Sequence, residues 1–405
     1  MKNHPNKFVL NDEKLALTLL CTPLALDQSL GIAPLSMREW NELENAISVG
    51  DGVGTILTMD VPTIQEKMNI NAEYAARLAL LLARSSAVTD VVERLADLDI
   101  WIMTRRDAMY PGKLSERFSK KAPVVLFGAG DPAMAQEPSM AIVGSRDISE
   151  SGRIFAERLG ELCASDGLAV VSGAARGTDR IAMGSCLSNG GFAIGVVADS
   201  LERTVREPEV AAALSDGRLC LLSTTLPNSP FSVGVAMGRN KYIHGLADFS
   251  VIVDCASGKG GTWNGAIENL RSKISPMFVR SDADAHSGNL ELIQRGGIEI
   301  SLGDLNSKVS LTMLLQSKID KLLPCDSQVS SGRETIVNRE SDLKEYLEVP
   351  RKILEIAEFL GISETKARDL LNSEVQQGRV VIVKKRPATY QDAKAGDSIP
   401  DLFGN

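Results

Sequence analysis

Four short stretches of the chain join glycine, hydroxyl and basic residues in the way a phosphate site requires. They are Gly144-Ser145-Arg146; Ser172-Gly173, continuing through Arg176, Gly177 and Asp179; Arg239-Asn240-Lys241; and Gly258-Lys259-Gly260-Gly261-Thr262. Glycine lets backbone N–H groups come close to a phosphate and allows φ > 0 without steric cost. Each stretch leads towards a predicted helix start, where free N–H groups and the helix dipole favour an anion. Converging on one edge of a sheet, they would form a phosphate-binding groove. The spacing is neither GxGxxG nor GxxxxGK[ST], which disfavours a standard dinucleotide site and nucleoside triphosphate hydrolysis.

The acids near these loops are Asp179, Asp254 and Glu268. Asp179 reads as a helix cap or loop support. Asp254 reads as the end of a strand, placed to orient Arg239. His244 lies four residues after Asn240 on a predicted helix and reads as a packed or surface residue rather than a general base. No nucleophile, base and acid set is legible, so no catalytic residue is assigned and the chain is read as a non-enzyme. Trp263 follows the last glycine loop. It is either a base-stacking side chain at the groove mouth or an anchor holding its helix on the sheet. Tyr242 faces the same choice.

The elements that must position these loops alternate from residue 139 onwards. MAIVGS, LAVVSG, FAIGVVA, LCLLST, SVIVDCA and PMFVR read as buried strands, separated by amphipathic helices. Short apolar runs alternating with helices imply a parallel sheet covered on both faces. The expected fold class is therefore α/β, with a doubly wound Rossmann-like core over 137–300. Residues 1–95 read as a helical domain of SAM or helix-hairpin type, and 96–136 as a connecting strand-turn segment packing on the core. That segment holds strands at Ile100–Met103 and Val124–Phe127. Residues 301–345 read as a polar linker. Over 346–390, Ile353, Ile356, Phe359 and Leu360 form one helix face. Ser363 caps a second helix that buries Ala367, Leu370, Leu371 and Val375. The strand Val380–Val383 then leads into Lys384-Lys385-Arg386. This pattern predicts a winged helix-turn-helix, followed by a tail over 391–405.

Composition narrows the classes. The chain has 405 residues, 44% of them hydrophobic and 24% charged, an ordinary soluble composition. No apolar run is long enough for a membrane span. The N-terminal residues are too polar for a secretory signal. Six scattered cysteines without a CxxC read as buried thiols in a reducing cytoplasm, and three distant histidines make a zinc site improbable. No cofactor is called for. A net charge of −8 argues against coating nucleic acid by bulk charge but leaves room for a local basic groove. Aromatic residues are only 4%, so any base stacking rests on a few side chains.

With these motifs in view, the chain resembles the DNA-processing protein A (DprA/Smf) family. The resemblance rests on IVGSR (142–146), SGAARGTD (172–179), GRNKYIHGLAD (238–248) and GKGGTWNGA (258–266), preceded by MTRRDAMYPGKL and APVVLFGAG. It implies a cytoplasmic, dimeric protein that binds single-stranded DNA and helps load a RecA-type recombinase during natural transformation. By motif position, Arg146, Arg176, Arg239 and Lys241 would contact backbone phosphates, alongside Ser145, Ser172, Gly173, Gly261 and Thr262. The departures mark a divergent branch: Met183 stands in a histidine place, Thr224 in an acid place, and Lys241 replaces an arginine. Two readings compete. One is a sensor of a nucleotide-derived ligand or, further off, a nucleoside-monophosphate glycosidic hydrolase, for which Gly265 stands where a glutamate would be needed. The other is a duplex-DNA regulator acting through the winged helix.

Overall fold

The computed structural model describes residues 10–47 and 52–322, and towards the C-terminus 347, 351–353, 355–356, 371, 375, 380–385 and 388–392. Met1–Leu323 and Pro324–Asn405 form two separate units.

The first unit opens with helices α1 (Asp12–Cys21), α2 (Met37–Ala46), α3 (Val61–Met68), α4 (Ala72–Leu82) and α5 (Ser85–Ala96). Their starts follow from local sequence. Asn11, Asp60 and Asn71 each accept a hydrogen bond from a first-turn N–H, and Ser36 and Glu39 form a reciprocal capping box. The strands are β1 (Ile100–Thr104), β2 (Val125–Gly130), β3 (Ser139–Val143), β4 (Ala169–Ser172), β5 (Ala193–Val196), β6 (Leu219–Ser223), β7 (Phe249–Ile252), β8 (Met277–Arg280) and β9 (Ile298–Ile300). Between and after them run α6 (Gly112–Phe118), α7 (Glu150–Asp166), α8 (Thr178–Ser188), α9 (Leu201–Thr204), α10 (Pro208–Ser215), α11 (Val233–Leu246), α12 (Gly260–Ser272), α13 (Ser287–Gln294), α14 (Leu302–Leu305) and α15 (Leu311–Asp320).

All nine strands join one sheet in the order β1-β2-β6-β5-β4-β3-β7-β8-β9. From β6 to β9 the pairing is parallel, while β1 and β2 add on antiparallel. The strand-turn segment over 96–136 thus contributes two strands that extend the sheet. One face of the sheet packs Phe155 and Leu159 of α7 and Ala182 of α8. The same apolar cluster runs on through Leu17, Leu20 and Trp40 of the N-terminal helices. The other face packs Leu114 of α6, Ile243 and Leu246 of α11, and Ala266 of α12. Each fully buried Leu or Phe stabilises the fold by about 1.5–3 kcal/mol. The α/β doubly wound expectation holds.

One boundary needs correction. Residues assigned above to a linker include two helices, α14 and α15. Leu311 and Leu315 of α15 are fully buried, and the Thr312 N–H donates to the Asp166 carboxylate at 3.0 Å. Their apolar spacing docks them against the end of α7.

In the second unit, β10 (Arg351–Lys352), β11 (Val380–Lys385) and β12 (Ala388–Asp392) form a three-stranded sheet in the order β10-β12-β11. The predicted ribbon is present and runs on through Lys384 and Lys385. Most of the two expected helices of the winged helix lies outside the described residues. Among the described residues no helix is long and apolar enough to cross a membrane, and no cluster of three His, Cys, Asp or Glu side chains could hold a metal ion.

Candidate nucleic-acid interface

The chain winds from β3 outwards through β4, β5 and β6, then crosses back to β7 beside β3 and winds the other way. Neighbouring strands whose connections leave in opposite directions open a crevice at their carboxyl ends. A cleft of about 380 Å³ occupies this place. The loop after β3 brings Gly144, Ser145 and Arg146 to it. The loop after β4 brings Arg176, and α8 brings Asp179. Helix α11 adds Arg239 and Asn240; the loop after β7 adds Asp254 and Lys259; α12 adds Gly260, Gly261 and Thr262. Residues spread over 144–262 thus converge on one site.

Side chains tie these loops together. Thr178 donates through its N–H (3.2 Å) and its hydroxyl (3.0 Å) to the Ser145 carbonyl. Thr262 donates to the Gly144 carbonyl (3.0 Å), and Asn240 to the Gly261 carbonyl (2.9 Å). Gly177 sits at φ 81°, and a Cβ there would lie 2.5 Å from the Arg146 carbonyl oxygen, so only glycine allows this approach. Helices α8 and α12 both begin without a side-chain cap. The start of α12, a 13-residue helix, lines the cleft with its first-turn backbone, the part of a helix that favours anions.

The charges divide into two sets. Arg146, Arg176 and Lys259 are exposed, and among the described residues none of them forms an ion pair with a carboxylate. The Arg146 guanidinium lies 5.4 Å from the centre of the Phe231 ring. Arg239 is different. It is only 6% exposed and donates to the carbonyls of Val196 (2.6 Å) and Gly173 (3.0 Å). Burial lowers its pKa, and the neighbouring Asp179 charge works against that shift. Burial likewise raises the pKa of Asp179, opposed by Arg239 and by the Ala175 N–H. The Asp179 carboxylate accepts from the Ala175 N–H of the loop at 3.4 Å. Arg239, read as a phosphate ligand, holds the ends of β4 and β5 from beneath the cleft.

Several expected site residues stand elsewhere. Ser172 is fully buried and donates to the Ile142 carbonyl at 2.6 Å. Gly173 faces the Arg239 guanidinium, which leaves no space for a Cβ. The Lys241 ammonium lies over the Tyr242 ring at 5.0 Å and is not among the residues lining the cleft. Trp263 is 7% exposed and packs in the core under Arg295, whose guanidinium lies 5.7 Å from the ring centre. It is an anchor, and base stacking on it is ruled out by its burial. Tyr242 is half-buried, edge-on to Phe118 at 5.4 Å. Asp254 pairs with Arg280 at 3.0 Å, both fully buried, so its partner is not Arg239. His244 is also fully buried, with Nδ1 2.9 Å from the Ser250 hydroxyl, and desolvation pushes its pKa down to about 4.

Phe231, Val233 and Met237 were not anticipated. They line the cleft and are 44%, 65% and 38% exposed. Large apolar side chains held open to water beside unpaired cations suit contact with flat rings. Their position just before the Arg239 motif was the available signal. Gly265 is buried, and a Cβ there would lie 3.1 Å from Asn240 Cβ. A side chain there would press on Asn240, and the glutamate that a glycosidic hydrolase would place there is absent.

The fold and cleft define an α/β protein with a cleft at the switch point of a doubly wound sheet, lined by basic side chains and a helix start. The chain belongs to the DNA recombination-mediator protein A family, whose sequence profile matches residues 101–306. It is 38% identical over 96 residues to the DNA processing protein DprA of Streptococcus pneumoniae, a match covering 24% of this chain and 33% of that protein. Against Protein Smf of Synechocystis it is 26% identical over 248 residues, covering 58% of this chain and 61% of the relative. The matches thus span between a third and three fifths of these relatives' lengths. Among solved structures, the S. pneumoniae protein superposes with a TM-score of 0.49 at 24% identity, covering 67% of this chain and 96% of that one. DNA processing protein A of Helicobacter pylori, which has a described single-stranded DNA binding mode, gives 0.43 at 21% identity, covering 54% and 96%.

Proposed function

We propose that the protein binds single-stranded DNA by its sugar-phosphate backbone along the cleft at the switch point, in DNA processing or recombination and without catalysis. One observation carries this reading. Arg146, Arg176 and Lys259 stand exposed and unpaired around the uncapped start of α12, with Phe231 beside them. Exposed cations on a backbone-lined edge neutralise phosphates, and an adjacent aromatic ring accepts an unpaired base. Family membership points to the same ligand, and the H. pylori relative is described with single-stranded DNA. Arg146 and Arg176 also border a neighbouring cleft, so positive charge runs along the sheet edge instead of closing round one phosphate. That favours a strand over a mononucleotide. Of the two buried acids at the site, Asp254 pairs with Arg280 at 3.0 Å, and Asp179 feels the charge of Arg239.

As extensions of this proposal, the protein acts as a homodimer in the cytoplasm and hands its strand to a RecA-type recombinase. Fluorescence anisotropy with a labelled single-stranded oligonucleotide tests the core reading. Binding that excess mononucleotide does not displace is expected. Displacement at low mononucleotide concentration would instead make the cleft a small-ligand sensor.

A further inference from the structure

A separate cleft of about 460 Å³ opens where the N-terminal helices meet the sheet. Its walls come from the end of α1, the approach to α2, β2, the loop after β6 and α11. Its apolar lining includes Leu35, Val124, Val125 and Phe127, all nearly or fully buried. None of the side chains lining it is an acid, a lysine, an arginine or a histidine. The two that could ionise stay neutral, because burial raises the pKa of the Cys21 thiol and of the Tyr242 hydroxyl. Three lining hydroxyls, those of Thr224, Ser229 and Tyr242, have no hydrogen-bond partner among the described residues. Their neighbours are engaged: the Thr22 hydroxyl donates to the Thr18 carbonyl at 2.7 Å, and the Thr225 hydroxyl lies 3.2 Å from that of Ser223. The walls are held from behind. The Tyr110 hydroxyl donates to the Pro123 carbonyl at 2.8 Å, and the Leu35 N–H to the Leu20 carbonyl at 2.7 Å.

We infer that this cleft binds a small, uncharged, mostly apolar molecule that carries a few hydrogen-bonding groups. Preformed apolar clefts of this size with a few placed polar groups are the usual form of a small-molecule site. The lining selects the class of ligand. A phosphate or carboxylate would leave water and find no cation, and an ammonium would find no carboxylate; either loss is large. A nucleic-acid backbone is excluded on the same ground. An extended peptide would need a partner for its backbone groups at every residue, and the cleft offers three separate hydroxyls. A pure hydrocarbon would leave those hydroxyls unpaired once water is displaced. A hydroxyl both donates and accepts, so a ligand with an N–H, an O–H or a carbonyl satisfies them while its apolar body covers Phe127 and the valines. The loop that carries Thr224 and Ser229 continues to Phe231 at the switch point, so a molecule bound here touches the loop that presents Phe231.

Two fluorescent probes that share one skeleton provide the test: N-phenyl-1-naphthylamine, which is neutral, and its anionic 8-sulfonate. Each is titrated into the full-length protein. The neutral probe, apolar with one N–H donor, should bind at a single site with a rise in emission. It should bind about tenfold more tightly than the sulfonate, whose charge meets no cation in the cleft. Thr224→Trp and Ser229→Trp each bring a large ring into the cleft from a half-buried position on the loop, outside any helix or strand. In a variant that melts like wild type, affinity for the neutral probe should fall about tenfold. If neither variant folds, the single site and the preference for the neutral probe in wild type decide the matter. No binding of the neutral probe, binding at several sites, equal or tighter binding of the sulfonate, or full affinity retained in a folded variant would each overturn the inference. The DNA reading of the switch-point cleft stands or falls separately, because neither probe carries a phosphate.

Discussion

Arg239 separates what the motif suggests from what the packing requires. In Arg239→Met, a chain of similar length keeps the apolar volume but loses the guanidinium. Two charge-assisted hydrogen bonds disappear, to Val196 (2.6 Å) and Gly173 (3.0 Å). Such bonds contribute about 1.5–3 kcal/mol each. The buried Asp179 also loses the charge that opposes its protonation. The two hydrogen bonds together amount to about 3–6 kcal/mol. At about 2–4 °C per kcal/mol for a large domain, the expected drop in melting temperature is roughly 10 °C. Thermal unfolding followed by circular dichroism reads this directly. Arg239→Lys should fall between, because an ammonium cannot span both carbonyls as a planar fork does. An Arg239→Met protein that melts like wild type while binding single-stranded DNA more weakly would refute the reasoning. Arg239 would then be a solvent-facing phosphate ligand.

Two further outcomes follow from the same geometry. Burial lowers the His244 pKa from 6.5 to about 4, so between those values the unfolded chain takes up a proton that the folded protein refuses. Stability should therefore fall as pH drops from about 6.5 to about 4, by about 3 kcal/mol in all. Urea midpoints across that range should show a smaller fall in His244→Asn, and an equal fall in both proteins would contradict it. Phe231→Ala removes an exposed ring that stands over no core, so the melting temperature should hold while single-strand affinity falls about tenfold; unchanged affinity would exclude Phe231 from the interface.

The alternating strands, the switch point and the glycine loops were legible because they depend on short-range pattern. The run IVGSR reads as strand then loop from its own residues, and β3 ends at Val143 as that pattern requires. The direction of a side chain was less legible. Arg239 and Lys241 lie two residues apart on α11, about 200° round the helix, so one enters the core and the other does not. Nothing local in the sequence fixes which. Asp254 found its partner 26 residues away, at the end of the adjacent strand β8, and only the strand order places Arg280 there. Trp263 is drawn inward because the first turns of α12 pack on the sheet. Phe231 was overlooked because it lies in an irregular segment, where no periodicity marks a face. The helices within 302–320 were hidden by the polar residues around them, and docking on α7 holds them in place.

The central claim is that exposed cations at the switch point hold a DNA backbone, and its most direct test is the salt dependence of single-strand binding. Each neutralised phosphate on a single strand contributes about −0.7 to the slope of log K against log salt. With Arg146, Arg176 and Lys259 as the three contacts, the account predicts that replacing all three by alanine makes the slope shallower by about 2 and weakens binding. A triple variant with the wild-type slope and affinity would contradict it, and would place the DNA somewhere other than this cleft.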